Sequence, residues 1–423
     1  MKRIPKIDRA QGRIAAPPSK SYTNRAILLA AMAEGETTIA NALDSDDSRF
    51  MLEAIRKIGF DVRGSLTNEV TIGERVGISA NEVRLYVGNA GTAMRFLTAF
   101  LSFVPGRFIL EGDSRMHQRP IGDLVDALRG IGGEIEYLGQ EGFPPISVRG
   151  KRMRGGFEVA ISGETSSQFV SALMMAGTTL TDGMTLRVHS LASRPYLEIT
   201  KDILRQFGAA VEEVEPNVYS VRGGPLQCDR YEVEGDFSSA SYWFAAAAPT
   251  RGEVTVTKVK LGSAQGDRMF IEVLERMGCR AEWSETAVTM RGPVRLRGGM
   301  FDCNEIPDIV PTLAAIAPLA ETPVEIVNVA HLRVKESDRI SAVADELRKL
   351  GVRVDEKDDG MVIHPGWNDG SATIDPHGDH RIAMSFAIAG LLRGNVEIAD
   401  EQVVSKSYPR FWRDLEELVR QSG

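Results

Sequence analysis

Cysteine and histidine are scarce in this 423-residue chain, and their spacing removes two chemistries. Cys228, Cys279 and Cys303 are too few and too scattered for a disulfide framework, and none forms a Cys-x-x-Cys pair. His117, His189, His331, His364, His377 and His380 show no zinc spacing such as His-Glu-x-x-His. Neither a metal site nor a cofactor is expected. Long apolar runs are missing too: the longest candidates break at Pro249, Pro311 and Pro318, short of a membrane span. Met1-Lys2-Arg3-Ile4-Pro5-Lys6 has no apolar stretch behind its charges, so a secretory signal is not expected and a soluble cytoplasmic protein is. Positive charge is in deficit, 50 Lys and Arg against 58 Asp and Glu, a formal net charge of −8. That argues against a protein built mainly to bind nucleic acid, although a basic cleft can sit within an acidic exterior.

What the chain does have is internal repetition. Lys20-Ser21 leads into an Ala/Leu helix, Arg25 to Ala33, followed by a strand over Thr37 to Ala40. Asp44 to Lys57 then has helical period, and Gly59 stops it before another strand. The same order returns from Gly91, with helices to Leu101 and from Ile121 to Arg129 around a strand from Arg107 to Leu110. It recurs from Ser166, Ser238, Pro307 and His380, the last copy being cut short after Leu418. Starts about seventy residues apart exceed the common solenoid repeats. Two helices and several short strands make a small α/β block, and six blocks most simply make two domains of three. The boundaries expected are 19–234 for one domain and 1–18 with 235–423 for the other, with stiff connectors at Pro17-Pro18 and Glu232 to Gly235. Two connectors suggest a cleft that closes on ligand.

The residues that open the helices carry the chemical signal. Val87-Gly88-Asn89-Ala90-Gly91-Thr92-Ala93-Met94-Arg95 reads as a tight turn running straight into a helix. Such a turn offers free N–H groups and the positive end of the helix dipole to an oxyanion, with Arg95 as a forked donor. It also reads as nothing more than a helix start that needed flexible backbone. Ser166-Ser167 and Asp379 are consistent with ordinary N-caps, and for Ser238 and Ser239 that is the reading adopted. Lys20 and Arg381 resist it, because a cation at the positive dipole end costs stability unless an anion belongs there. Second helices open on Arg119-Pro120, Ser193-Arg194-Pro195-Tyr196 and Ser405-Lys406-Ser407-Tyr408-Pro409. Arg333 to Arg339 is the densest cluster; Lys335 and Arg339, four apart, are expected on one helical face. A solvated charged face with Glu336 pairing Arg339 is the other reading of that cluster. Together these starts imply a small substrate carrying several negative charges.

In order, Lys20-Ser21 to Arg25, Gly88 to Arg95, Arg119-Pro120, Ser166-Ser167-Gln168 and Ser193 to Tyr196 resemble the enolpyruvyl transferases. Pro307-Asp308, Lys335-Glu336 to Arg339, Asp379-His380-Arg381 and Lys406 extend the resemblance over nearly the whole chain, toward the members that act on shikimate 3-phosphate. The resemblance implies a two-domain inside-out α/β barrel, three βαβαββ units per domain, with the active site in the interdomain cleft. It implies transfer of enolpyruvyl from phosphoenolpyruvate to the 5-hydroxyl of shikimate 3-phosphate through a tetrahedral adduct, with release of phosphate, on the route to aromatic amino acids. A monomer without cofactor is implied as well. The residues implied for shikimate 3-phosphate are Lys20, Ser21, Arg25, Ser166, Ser167, Gln168, Ser193, Tyr196, Asp308 and Lys335. Those implied for phosphoenolpyruvate are Lys20, Asn89, Gly91, Thr92, Arg119, Gln168, Arg339, His380, Arg381 and Lys406. Asp308 is assigned as base toward the hydroxyl, Glu336 as acid/base at the methylene, and Lys20 as charge stabiliser and proton shuttle.

Two positions depart from the resemblance. His331 stands where members often carry Asn or Glu, and Phe96 follows Arg95 where many glyphosate-sensitive members have proline; Gly91, the small residue that leaves room for that inhibitor, is kept, and sensitivity is expected. The nearest rival is the sister activity on UDP-N-acetylglucosamine, whose reactive cysteine precedes the Arg-Pro pair. Gly112 to Gln118 has no cysteine, with Ser114 at about that place and Asp113 beside it. An RNA-binding module clamping a backbone on the Gly88 to Gly91 turn is opposed by the acidic balance. A non-catalytic relative is opposed by the intact charged positions.

Overall fold

The computed structural model describes residues 1–77 and 82–423. They form two compact units, Pro18–Val233 and the pairing of Met1–Pro17 with Glu234–Gly423, called here the first and second unit. The first unit carries helices α1 (Lys20–Met32), α2 (Asp46–Lys57), α3 (Gly91–Ser102), α4 (Gly122–Gly130), α5 (Ser167–Gly177) and α6 (Pro195–Gln206). The second carries α7 (Phe237–Ala247), α8 (Phe270–Arg276), α9 (Val310–Ile316), α10 (Arg339–Lys349), α11 (His380–Arg393) and α12 (Phe411–Ser422).

Each sheet follows one plan, a parallel pair extended by an antiparallel hairpin. In the first unit Thr37–Ala40 lies parallel to Arg230–Glu232 and antiparallel to Glu69–Arg75, with Phe60–Gly64 outside. Val83–Tyr86, Gly106–Glu111, Ile146–Gly150 and Glu134–Tyr137 repeat that order. So do Phe157–Gly163, Met184–Leu191, Val218–Val221 and Val211–Glu215. In the second unit Gln11–Ala15 runs parallel to Glu253–Thr257, then Ala287–Arg291 and Arg280–Trp283 follow. Gly299–Asp302, Val324–Val327, Gly360–Ile363 and Val354–Lys357 form the next sheet. In the last, Ala372–Ile374 is parallel to Val396–Ile398, and Lys2–Ile4 pairs antiparallel where the hairpin would be. The repeat read from the sequence is the repeat of these sheets.

The layers are inside-out because of what the helices are made of. Every residue of α7 is buried, as is Tyr22 to Ala31 of α1, so these Ala-, Leu- and Ser-rich helices have no wet face. α3 packs on α5 and α1, while α7, α9 and α11 pack on one another. The sheets lie outside them: Val83 and Leu85 face inward while Arg84 and Tyr86 are exposed, the alternation of a sheet with one solvated face. Second helices are one-sided; α12 buries Phe411, Leu415 and Leu418 and exposes the rest of its surface to varying degrees. In the second unit a continuous apolar cluster joins all three repeats, with Trp243 stacked on Phe411 at 5.6 Å. Hydroxyls cross it: Ser241, Thr312 and Ser385, one each from α7, α9 and α11, bridge in sequence at 3.3 Å.

Several local expectations are corrected. α1 begins at Lys20 rather than Arg25, and α2 at Asp46 rather than Asp44, where the Ser45 hydroxyl accepts from Ser48 N. Pro120 does not start α4, whose first residue is Gly122. Pro307-Asp308 opens a 3-10 turn, and the α-helix follows from Val310. Ser238 and Ser239 are not N-caps: the Asp236 carboxylate caps α7 by accepting from Ser239 N at 2.7 Å. Lys335 and Arg339 do not share a helical face. Asp338 caps α10 by accepting from Ser341 N, so the helix begins only at Arg339 and Lys335 is left in extended backbone. The final copy runs on to Ser422.

Candidate active site

In the first unit the Gly88 to Arg95 turn is closed by its own side chains and by Arg119. Gly88 takes φ 52°, and a Cβ there would meet the Phe50 ring at 2.6 Å. Arg119 Nη1 donates to both Asn89 O and Asn89 Oδ1 at 2.9 Å, and Arg95 Nη2 donates to Pro120 O at 2.8 Å. Gly91, the first residue of α3, lies under both guanidiniums: a Cβ on it would stand 2.5 Å from Arg119 Nη2 and 2.7 Å from Arg95 Nη1. Thr92 Oγ1 accepts from Gln168 Nε2 at 3.3 Å, and Gln168 N in turn donates to Ser166 Oγ at 3.2 Å. Asn89, Gly91, Thr92, Arg119, Ser166 and Gln168 are thereby one contiguous set, with Ser167 buried beside it.

A second set of the same unit is centred on Arg25. Its guanidinium is 2% exposed and donates to Thr200 Oγ1 at 2.9 Å, Ser21 O at 3.0 Å, Tyr196 O at 3.2 Å and Ser171 Oγ at 3.4 Å. It lies 5.1 Å over the Phe96 ring. These partners are neutral, and burial pulls the arginine down to about 10. Phe96 packs against Arg25. Ser193 holds φ 58° just before α6, whose first residue is Pro195. Lys20 sits 3.1 Å from Asp47 Oδ2, so the cation at the positive end of α1 is answered by a carboxylate from α2.

The second unit builds its site on two arginines. Arg339 is 1% exposed and donates to Asp308 Oδ1 at 2.8 Å, Glu336 Oε2 at 3.0 Å and Asp379 Oδ2 at 2.7 Å. Burial opposes its charge, but the three carboxylates outweigh burial and hold it protonated well above its ordinary range. The solvated-face reading of this cluster is thus replaced by a buried network. Arg381 Nη2 donates to Asp308 Oδ2 at 2.6 Å, so the one carboxylate bridges both guanidiniums. Asp379 caps α11 by accepting from Arg381 N at 2.9 Å and also accepts from Ser337 Oγ at 3.3 Å. His380 is wholly buried, its Nδ1 3.6 Å from Asp379 Oδ1. Lys406 is the last residue of the 402–406 turn. Burial and the Lys335 charge push His331 down to about 3, so it is a neutral imidazole.

Asp47, Thr200 and Ser171 were not found from the sequence, because they orient the cations without standing in the basic motifs that drew attention. Asp379 was read as a helix cap beside His380-Arg381, which it is, but its pairing with Arg339 was not read. Among the described residues no group of His, Cys, Asp and Glu is placed to hold a metal ion.

The sixfold inside-out repeat with arginines and lysines at its helix starts is the architecture of the enolpyruvyl transferases. The crystal structure of the enolpyruvyl transferase NikO from Streptomyces tendae shares this fold at 18% identity, with a TM-score of 0.79 over 98% of this chain and 96% of that one. The family is narrower. A family model for EPSP synthase (3-phosphoshikimate 1-carboxyvinyltransferase) matches residues 4–415. The 3-phosphoshikimate 1-carboxyvinyltransferase of Photobacterium profundum is 43% identical over 418 residues, 97% of each chain. The structure of EPSP synthase from Acinetobacter baumannii is 29% identical, with a TM-score of 0.79 over 100% of this chain and 98% of that one. The chain belongs to the EPSP synthase family.

Proposed function

We propose that this chain transfers the enolpyruvyl group of phosphoenolpyruvate to the 5-hydroxyl of shikimate 3-phosphate, releasing phosphate; its relatives' name, 3-phosphoshikimate 1-carboxyvinyltransferase, supports the group transferred and its acceptor. The observation that carries the mechanism is the Asp308 carboxylate bridging Arg339 and Arg381. An anionic substrate competes with Asp308 for these guanidiniums, and its arrival frees a carboxylate oxygen to take the hydroxyl proton. Glu336, held by Arg339 at 3.0 Å, delivers the proton to the methylene carbon. The resulting tetrahedral adduct collapses when Glu336, left as a carboxylate, takes a proton back from the new methyl group and phosphate leaves; Lys20 supports the charge on that leaving group and relays to it the proton held by Asp308.

Shikimate 3-phosphate is assigned to Ser21, Arg25, Ser166, Ser167, Gln168, Ser193, Tyr196 and Lys335, with its hydroxyl at Asp308. The half-buried Ser166 and buried Ser167 hydroxyls at the start of α5 suit a phosphate, and the neutral surroundings of Arg25 leave its charge for the substrate. Phosphoenolpyruvate is assigned to Lys20, Asn89, Gly91, Thr92, Arg119, Gln168, Arg339, His380, Arg381 and Lys406. Glyphosate competes with it, because Gly91 places no side chain against the Arg119 guanidinium and Phe96 is turned toward Arg25. The protein works as a cytoplasmic monomer on small molecules and not on nucleic acid; the excess of acidic residues supports the last point.

Phosphate release from phosphoenolpyruvate, with shikimate 3-phosphate and UDP-N-acetylglucosamine offered separately in the presence of EDTA, tests the assignment. Release with shikimate 3-phosphate alone is expected. Release with the sugar nucleotide alone overturns the substrate, and silence with both overturns the activity.

A further inference from the structure

The segment from Gly112 to Arg119 follows the strand Gly106–Glu111 and lies against the Gly88 turn. A Cβ on Gly112 would run into Gly88 O and the Met116 side chain, so the two stretches pack with no room for one. Asp113 N donates to Gly88 O at 3.2 Å, beside the bond from Val87 N to Glu111 O at 2.9 Å. Asp113 then opens the 3-10 turn Met116–Gln118. Its Oδ1 accepts from Met116 N at 2.8 Å, and its main-chain oxygen accepts from His117 N at 3.2 Å. Met116 is buried, and its sulfur accepts from Arg95 Nη1 at 3.8 Å. Asp113 has no part in the mechanism above.

A turn this short does not hold itself. Fixing its dihedrals costs more than its few internal hydrogen bonds return, and its first N–H groups have no partner inside it. The Asp113 side chain supplies one of those partners. What depends on the turn is Arg119. Arg119 N donates to Met116 O at 3.1 Å, which fixes where its side chain leaves the backbone. The guanidinium then returns to Asn89, with Nη1 donating to Asn89 O and Oδ1 at 2.9 Å. The bonds close a ring: Asp113 N on Gly88 O, Met116 N on Asp113 Oδ1, Arg119 N on Met116 O, and Arg119 back onto the residue after Gly88. Asn89 and Arg119 are already assigned to substrate, and Asp113 is the remaining side chain of the ring.

We propose that Asp113 is a positioning residue for the transfer reaction: by holding the 116–118 turn on the Gly88 turn, it keeps Arg119 aimed at phosphoenolpyruvate before that substrate binds. This rests on the reading of Arg119 as a phosphoenolpyruvate ligand. The side chain acts as an acceptor and not as an acid, so an amide oxygen at the same place serves equally. Without an acceptor the turn is formed in only a fraction of the molecules, and phosphoenolpyruvate has to supply the ordering as it binds. The loss therefore falls on KM for phosphoenolpyruvate, whereas kcat is measured with the turn already held by substrate. KM for shikimate 3-phosphate does not follow, because none of its assigned residues stands in the ring.

The test is steady-state phosphate release for Asp113→Ala and Asp113→Asn, each substrate being varied while the other saturates. Asp113→Ala raises KM for phosphoenolpyruvate about fivefold, the size of a lost helix cap, and leaves kcat and KM for shikimate 3-phosphate within about twofold. Asp113→Asn restores the wild-type KM, because its Oδ1 still accepts from Met116 N. Asp113→Leu, close in shape and without an acceptor, carries the test if Asp113→Ala does not fold. In an Arg119→Ala background Asp113→Ala lowers kcat/KM for phosphoenolpyruvate no further. An asparagine variant as impaired as the alanine variant means that the charge or a proton matters, and overturns the proposal. So does a fall in kcat, an equal rise in both KM values, a full further loss in the Arg119→Ala background, or an alanine variant that matches the wild type. Should the wild type release no phosphate with shikimate 3-phosphate, or Arg119→Ala leave KM for phosphoenolpyruvate unmoved, the functional reading fails first, which separates the two failures.

Discussion

Replacing Gly91 by alanine isolates the contribution of one guanidinium. The added methyl would stand 2.5 Å from Arg119 Nη2, whereas nonbonded heavy atoms rest at about 3.5 Å, so the guanidinium has to recede by about 1 Å. Arg119 cannot do so and keep both 2.9 Å bonds to Asn89 O and Oδ1. On the proposed assignment, its alignment toward phosphoenolpyruvate goes with them. A hydrogen bond to a charged group contributes about 1.5–3 kcal/mol, and 1.4 kcal/mol is about tenfold in affinity. KM for phosphoenolpyruvate should therefore rise about ten- to a hundredfold. The fold should tolerate the change, because Gly91 has helical rather than left-handed backbone and alanine favours a helix. The assay is steady-state phosphate release with phosphoenolpyruvate varied at saturating shikimate 3-phosphate, beside a thermal melt. A KM for phosphoenolpyruvate within about twofold of wild type, in a protein with unchanged Tm, would refute the argument. A rise confined to KM for shikimate 3-phosphate would mean that Arg119 serves the other substrate.

Asp308→Ala and Glu336→Ala should each lower kcat by about a hundred- to ten-thousandfold, the range of a general acid or base; near-normal turnover in either removes its role. Arg25→Ala removes the buried guanidinium that donates to Thr200 Oγ1, Ser171 Oγ and Tyr196 O, so it should lower the urea midpoint as well as raise KM for shikimate 3-phosphate. Stability retained together with unchanged KM counts against both parts. The third concerns acid. The folded chain keeps His331 neutral down to about 3, whereas the unfolded chain takes up a proton near 6.5. Stability from this group is whole above 6.5 and is lost as pH falls toward 3. His331→Asn should lose less stability than wild type between pH 7 and pH 5 in urea titrations, and parallel losses would show that the imidazole is not buried neutral.

How much of this was legible in the sequence follows from the range of the interactions concerned. A helix buried on every side writes its own signature, as the Ala- and Leu-rich run from Tyr22 to Ala31 does, and the glycines after second helices mark where each repeat turns back. Cations at helix starts, Lys20 and Arg381, were visible because they oppose a local field and so call for an anion. Where two local signals competed, the tertiary structure chose: Asp338 rather than Lys335 sets the start of α10, because a carboxylate that satisfies Ser341 N outweighs the continuation of a charged pattern. Asp236 displaces Ser238 and Ser239 as a cap for the same reason, and Ser238 is thereby released to meet Asp267.

The sequence by itself determined the repeat and the cations at the helix starts, since each rests on periodicity or on a neighbour within one helical turn; the layer order was implied by the family resemblance. Only the tertiary structure decided which carboxylate answers each cation. Arg339 is held by Glu336 three residues away, but also by Asp308 and Asp379, 31 and 40 residues away. Asp308 stands at the other end of the same repeat and Asp379 opens the next, and no local pattern encodes either. They meet because α9, α10 and α11 pack around one core, and carboxylates from several elements offset the burial of the Arg339 charge.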